Sequence, residues 1–313
     1  MAKNGIRIVA TGRAVPDNVL SNADLEKIVD TSDEWIRERT GIKSRHKADK
    51  ETATSMAAAA ARSAIDRSGI DKSEIGACIV ASSTPDQVMP CIACMVQKEL
   101  MLPETIVAFD ISVACTGFLA GLGVAAGLFN VIEKRYILII GSEELSRVMD
   151  YTDRSTCIIF GDGAGAALVA PSDKPYFQKS WARGNEEFLY LAGLNKPNQF
   201  VSMQGTKVFK FAATAIRQGI DEVLRMAGAD MESVDYVICH QANARIIDNV
   251  KKRYAGHEHK FFLNIAEYGN TSAASIPIAL DEMMERGLLK EGMKIIMVAF
   301  GGGLAWSSVY MEI

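Results

Sequence analysis

The chain has 313 residues, 49% of them hydrophobic and 23% charged, with a formal net charge of −4. That is the balance of a soluble globular protein with ample material for a large core, in one or two domains. The overall charge points to no nucleic-acid or membrane partner, so an acidic partner would need a local basic patch.

The N-terminus, MAKNGIRIV, lacks the apolar stretch of a signal peptide, and a cytoplasmic protein with reduced thiols is expected. SMAAAAARSAIDRS, from Ser55, reads as a helix, and GIDKSEIGACIVAS, from Gly69, as a turn and a buried strand. Cys91 and Cys94 form a CxxC pair among apolar residues. No second CxxC or histidine pair completes a zinc set, so no metal is expected and a packed helix face is the predicted setting. TIVAFDISVACTGFLAGLGVAAGLF, from Thr105, reads as strand, loop and apolar helix. Residues 113–132 within and after it are numerous enough to span a bilayer, but they are rich in Gly and Ala and include Cys115, Thr116 and Asn130. A helix apolar all round also suits the centre of a layered soluble protein, and a buried core helix is predicted. RYILIIGSEE and TCIIFGDGAGAALVAP follow as strand regions, and residues 171–205, with scattered Pro, Lys, Asn and Gly, read as a join.

Beyond the join the order repeats. AATAIRQGIDEVLRMA and GADMESVDYVICHQ match the first helix, turn and strand without a gap, Gly228 falling on Gly69 and Asp230 on Asp71. KFFLNIAEYGNTSAASIPIALDEMM again reads as strand, loop and helix, which brings Asn270 close to the position of Cys115. MKIIMVAFGG and GGLAWSSVYMEI close the second copy. Alternating strands and helices indicate an α/β fold, and strands apolar on both faces indicate sheets covered on both sides. The halves, 1–172 and 173–313, should pack about a pseudo-twofold axis as one compact unit. Sites in such sheets form beyond the carboxyl ends of strands. His240 ends DYVICH, while Cys115 and Asn270 follow strands of their own halves, so all three are drawn toward one place.

Each of the three has an ordinary structural explanation when taken alone. Cys115 could be one more small buried cysteine. As a residue at a helix N-terminus it could instead be a thiolate nucleophile able to carry an acyl group. His240 could be a hydrogen-bonded core histidine. Asn270, before an Ala-rich helix, could be a cap. Gly301, Gly302 and Gly303 could form only a tight turn, or could expose backbone N–H groups to an oxyanion.

Together the motifs are more specific. TSDEWIRERTGI from Thr31, ACTGF from Ala114, TDRST…FGDGAGA from Thr152, HQAN from His240, GNTSAAS from Gly269 and AFGGG from Ala299 occur in order over nearly the full length. In these the chain resembles β-ketoacyl-acyl-carrier-protein synthase III, the initiating condensing enzyme of type II fatty-acid synthesis in the thiolase superfamily. The resemblance implies a thiolase-like duplicated fold of two pseudo-twofold halves in five layers, α-β-α-β-α. It implies decarboxylative condensation of an acyl-CoA primer with malonyl-acyl-carrier protein, by ping-pong chemistry, with no cofactor and as a homodimer.

By that resemblance Cys115 takes the acyl group, and His240 and Asn270 bind the malonyl thioester carbonyl. The N–H groups of Cys115 and Gly302 would form an oxyanion hole. Thr31, Trp35, Arg39, Arg154, Phe209 and Asn243 would contact CoA or line its tunnel. Met89 would shape the acyl pocket. Lys210, Arg245, Lys252 and Arg253 would receive the acidic carrier. The family commonly has an aromatic residue in place of Met89, an aliphatic one in place of Cys157 and an acidic one in place of Lys207. The same motifs leave open a related acyltransferase or a specialised-ketide synthase. A non-catalytic scaffold fits poorly because Cys115, His240 and Asn270 are all present, and a papain-type hydrolase fits poorly with the repeat.

Overall fold

A computed structural model describes residues 5–193 and 199–313. The first half runs β1 (Gly5–Ala14), β2 (Val19–Ser21), α1 (Asn22–Leu25), α2 (Asp33–Thr40), β3 (Ser44–His46), α3 (Ala53–Ser68), β4 (Ile75–Ala81), α4 (Ile92–Leu100), β5 (Val107–Ile111), α5 (Gly117–Leu128), β6 (Tyr136–Glu143) and β7 (Gly163–Ser172). The second runs β8 (Tyr176–Asn185), β9 (Leu189–Tyr190), β10 (Ser202–Met203), α6 (Gly205–Ala227), β11 (Tyr236–Cys239), α7 (Ala244–Lys251), β12 (Phe261–Phe262), α8 (Ile265–Tyr268), α9 (Ser275–Glu285), β13 (Lys294–Gly301) and β14 (Gly303–Glu312).

One sheet has the order β1-β7-β6-β4-β5; the other, read from its β8 edge, is β8-β14-β13-β11-β12. Parallel pairs (β6-β4-β5 and β13-β11-β12) and antiparallel pairs fall at the same places in both. The predicted duplication is therefore present strand for strand. Its local chemistry is repeated too. The helices α3 and α6 end at Gly69 (φ 66°) and Gly228 (φ 61°), left-handed positions that glycine takes without Cβ strain.

Burial explains the layering. Strands such as β4 and β6 are apolar toward both sides and almost wholly buried. On one side of the first sheet, Met56, Ala60 and Ala64 of α3 and Val96 of α4 pack on Cys78, Val80 and Leu138. On the outer side of the second, Ile216 and Ile220 of α6 and Ile247 of α7 pack on Val237 and Ile296. Between the sheets lie Phe118, Leu119 and Leu122 of α5 and Ile276, Leu280 and Met283 of α9, touching both. These are the five expected layers. The membrane-like stretch is thus the central helix α5, and among the described residues no helix is long and apolar enough to cross a membrane.

Two expectations need correction. Residues 171–205 are not simply a join, because they contain β8, a full edge strand paired with β14 over residues 176–185. None of its residues is fully buried, and that disguised it; the chain passes between the sheets in the short span from Ser172 to Tyr176. Nor does Asn270 occupy the position of Cys115. The equivalent turns are 3-10 segments at Ala114–Thr116 and Ser272–Ala274, so Cys115 corresponds to Ala273, three residues beyond Asn270. Both turns begin on a non-glycine residue in left-handed conformation, Ala114 (φ 46°) and Ser272 (φ 48°).

Candidate active site

The carboxyl ends of the parallel strands meet at a cavity of about 560 Å³ lined by Cys115, His240, Asn270 and Gly301. Residues far apart in the chain, from Cys115 in the first half to Asn270 and Gly301 in the second, thus share one wall.

Cys115 lies in the turn that leads into α5. It is 7% exposed. Burial pushes its thiol up to about 12; the Ser272 side chain opposes the rise and the Glu143 charge adds to it. Burial thus disfavours the charged thiolate and favours the thiol as the resting form. Gly301 fits closely over it: a Cβ there would stand 3.0 Å from the Cys115 nitrogen and 3.3 Å from its Sγ. A side chain at that position would press on the sulfur.

His240 follows β11, and its N–H still donates to Val298 O (2.7 Å). Nδ1 lies 2.6 Å from Ser275 Oγ, and the ring meets Phe300 edge-on with centroids 5.3 Å apart. Burial depresses its pKa to about 3, so the ring is neutral near pH 7. Its partner at Nδ1 leaves Nε2 as the ring's other working atom.

Asn270 is held by its backbone, donating to Ile159 O (2.9 Å) and accepting from Gly161 N (3.0 Å). Its Oδ1 accepts from Ser272 N at 2.9 Å. Since a backbone N–H can only donate, the amide orientation is fixed, and Nδ2 is left as a donor without a protein partner in that bond.

Comparison with known proteins gives the same answer. The model of 3-oxoacyl-[acyl-carrier-protein (ACP)] synthase III matches residues 109–182, and the model of its C-terminal part matches residues 224–313. A β-ketoacyl-[acyl-carrier-protein] synthase III of Clostridium acetobutylicum is 40% identical over 99% of both chains. The chain belongs to the synthase III family. The crystal structure of 3-oxoacyl-[acyl-carrier-protein] synthase III from Aquifex aeolicus superposes with a TM-score of 0.94 at 43% identity, covering 99% of this chain and 100% of that one. The priming β-ketosynthase from the R1128 polyketide biosynthetic pathway superposes at 0.92 with 31% identity, covering 99% and 97%.

In this synthase III, Trp35, Arg39, Phe209, Asn243, Lys210 and Arg245 also line the cavity. Arg154 stands over the Trp35 ring at 5.1 Å and Arg39 at 5.9 Å, so the indole is flanked by two guanidiniums. Asn243 caps α7 and donates from Nδ2 to Arg39 O (3.0 Å), joining α2 to α7 at the rim. Thr31 is not in the cavity wall; its buried Oγ1 has no hydrogen-bond partner among the described residues. Gly302 is also outside the wall, where Gly301 is found instead. Met89 is 81% exposed and away from the cavity, so within one chain it shapes no acyl pocket. Lys252 and Arg253 are exposed past the end of α7 and do not reach the wall. Lys210 is shared with a second cavity of about 320 Å³, where Arg183 and Lys207 add positive charge. Cys157 is buried in the packing around Ile36 and Ile265.

Two site residues escaped the sequence reading. Ser275 lay within the quoted GNTSAAS, but nothing in its spacing showed that it would meet a histidine 35 residues earlier. Phe300 looked like one more strand residue; its contact with His240 comes from β11 and β13 running side by side, which a one-chain pattern does not display.

Proposed function

We propose that this protein condenses an acyl-CoA primer with malonyl-acyl-carrier protein to give a 3-oxoacyl-carrier protein, CoA and CO₂. The observation that carries the reading is one cavity holding a buried thiol, a neutral imidazole and a fixed amide donor, with an indole between two arginines beside it. The flat Trp35–Arg154 stack suits adenine, and the arginines suit its phosphates.

In the first half-reaction the Cys115 sulfur attacks the thioester carbonyl. Because the thiol rests protonated, its proton must leave as the bond forms. Neutral His240 is the group to take it, on Nε2, with Nδ1–H donating to Ser275. The departing CoA thiolate recovers that proton, leaving acyl-Cys115 and neutral histidine. In the second half-reaction the other tautomer serves: Ser275 donates to Nδ1, and Nε2–H joins Asn270 Nδ2 on the malonyl thioester oxygen. Two neutral donors stabilise the enolate formed as CO₂ leaves, without protonating it. The enolate carbon attacks acyl-Cys115, whose oxyanion is held by the N–H groups of Cys115 and Gly302. As the oxyanion collapses the C–S bond breaks, the Cys115 sulfur leaves and takes a proton from solvent, and the 3-oxoacyl carrier is released. The acidic carrier docks on Lys210 and Arg245, with Lys252 and Arg253 further out. A second copy of the chain covers exposed Val88 and Met89 in a homodimer.

The likeness to the R1128 priming ketosynthase favours one alternative, a starter condensation for a specialised ketide, which uses the same residues. Intact mass after incubation with straight and branched acyl-CoAs, then malonyl-carrier protein, separates the readings. Wild type should gain one acyl group and lose it to a 3-oxoacyl carrier. Cys115→Ala should gain none and lose at least about a thousandfold in turnover. Acylation without condensation would overturn the synthase assignment.

A further inference from the structure

The CxxC pair departs from the packed helix face expected of it. Cys94 is exposed and Cys91 half-exposed, whereas Cys78, Cys115, Cys157 and Cys239 are all buried. The two sulfurs lie 3.4 Å apart. Cys91 is the N-cap residue of α4, yet its side chain makes no capping hydrogen bond. Asp110, on the neighbouring strand β5, does that work: its two carboxylate oxygens accept from Ile92 N and Ala93 N, each at 2.8 Å. The sulfur of Cys91 faces Cys94 and also hydrogen-bonds the Asp110 carboxylate. The setting is a parallel βαβ unit, β4-α4-β5, with the cysteines on the first turn of its helix. That arrangement places two thiols three residues apart on one helical face, within reach of a bond of about 2 Å after a small rotation.

We propose that Cys91 and Cys94 form a reversible disulfide by exchange with small-molecule disulfides such as oxidised glutathione, a chemistry separate from the condensation. Cys94, the exposed thiol, gives up its proton and attacks one sulfur of the reagent. The reagent's S–S bond breaks, and its departing thiolate takes a proton. Cys91 then attacks the Cys94 sulfur of the mixed disulfide, releasing the second reagent thiolate, which takes the Cys91 proton. Two protein thiols are oxidised by two electrons and one small disulfide is reduced to two thiols. Cys115, buried at the foot of the cavity, does not compete.

The test is exposure of the whole reduced protein to a series of oxidised-to-reduced glutathione ratios, acid quenching, alkylation, intact mass and peptide mapping. Cys91 and Cys94 should lose alkylation together, with no glutathione retained, and dithiothreitol should restore both. Cys91→Ser supplies a hydroxyl suited to an N-cap and should keep the fold; it should stop at one glutathione on Cys94. Persistent alkylation of both cysteines at every ratio would overturn the proposal. So would glutathione retained on the wild type, or a disulfide involving Cys115. None of these readouts depends on turnover, so failure here leaves the synthase reading untouched.

Discussion

The two halves place different chemistry on equivalent strand ends. Ala81 ends β4 opposite Gly141 of β6, and Cys239 ends β11 opposite Val298 of β13. Ile79 and Ile238 face the middle layer opposite Ile139 and Met297, so Ala81 corresponds to His240 and Ser142 to Phe300. In the first half this pair is small, and the polar groups come one residue later, at Ser82 and Glu143, closed in. Glu143 Oε2 accepts from Ser83 N (3.0 Å) and Thr84 Oγ1 (2.7 Å), with Ser82 Oγ at 3.5 Å. In the second half it is an imidazole against an aromatic edge, in the cavity wall. The same backbone thus builds a structural knot on one side and a working group on the other. What decides between them is which side chains fill the strand ends.

Substitution at the two strand ends should break the symmetry of outcome. His240→Ala should lower condensation about a hundredfold to a thousandfold, by removal of a donor to the enolate. Ser82→Ala, one residue past the equivalent place, should leave turnover nearly unchanged and cost about 1 kcal/mol of stability through the hydroxyl's lost hydrogen bonds with Thr84 N and Glu143. Steady-state rates and urea unfolding of both variants read the contrast directly.

The pH dependence of stability sharpens it further, since the two buried groups act with opposite sign. His240 titrates at 6.5 when unfolded and at about 3 when folded. Between those values the unfolded chain holds a proton that the folded one lacks, so stability falls as pH is lowered below 6.5, by up to about 1.4 kcal/mol per pH unit. Burial raises Glu143 above its ordinary 4.5, and hydrogen bonds from Thr84 and Ser83 oppose the rise. Its contribution is complete below 4.5 and is lost as pH rises toward the raised value. Urea unfolding across pH 4–8 should therefore show a flatter acid limb in His240→Gln and a flatter slope above 4.5 in Glu143→Gln. A wild-type acid limb surviving in His240→Gln would assign it to another group.

The smallest effect concerns the turns. Ala114 holds a left-handed backbone next to Cys115, a conformation costing about 1 kcal/mol for a residue with a Cβ. Ala114→Gly should gain about 0.5 kcal/mol of stability, less than the full strain because glycine is more flexible when unfolded. A loss in thermal unfolding would show that the methyl packs rather than strains.

Much of this was legible in the sequence. Period, glycine punctuation and apolar runs marked the strands and helices that repeat, six in each half, and the ends of DYVICH and the AFDIS strand brought His240 and Cys115 together. What was not legible has a common cause. β8 has no fully buried residue, so its polar residues resembled a linker. Ser275, Phe300 and Glu143 act through neighbours across strands or layers. The protonation of Cys115 depends on how much water the folded chain removes from it, which no local motif states. The exposure of Cys94 likewise follows from which side of α4 meets the sheet.

The middle layer carries a consequence for descent. α5 and α9 each touch both sheets, so either half alone would present the inner face of its sheet to water. An ancestor encoding a single half could have persisted only as a pair of identical copies, with identical strand ends. Joining the copies in one polypeptide ended that identity. It freed one copy to keep Ala81 with Ser142 at its strand ends and the other to acquire His240 with Phe300, so the asymmetry on which the chemistry rests is what fusion made heritable.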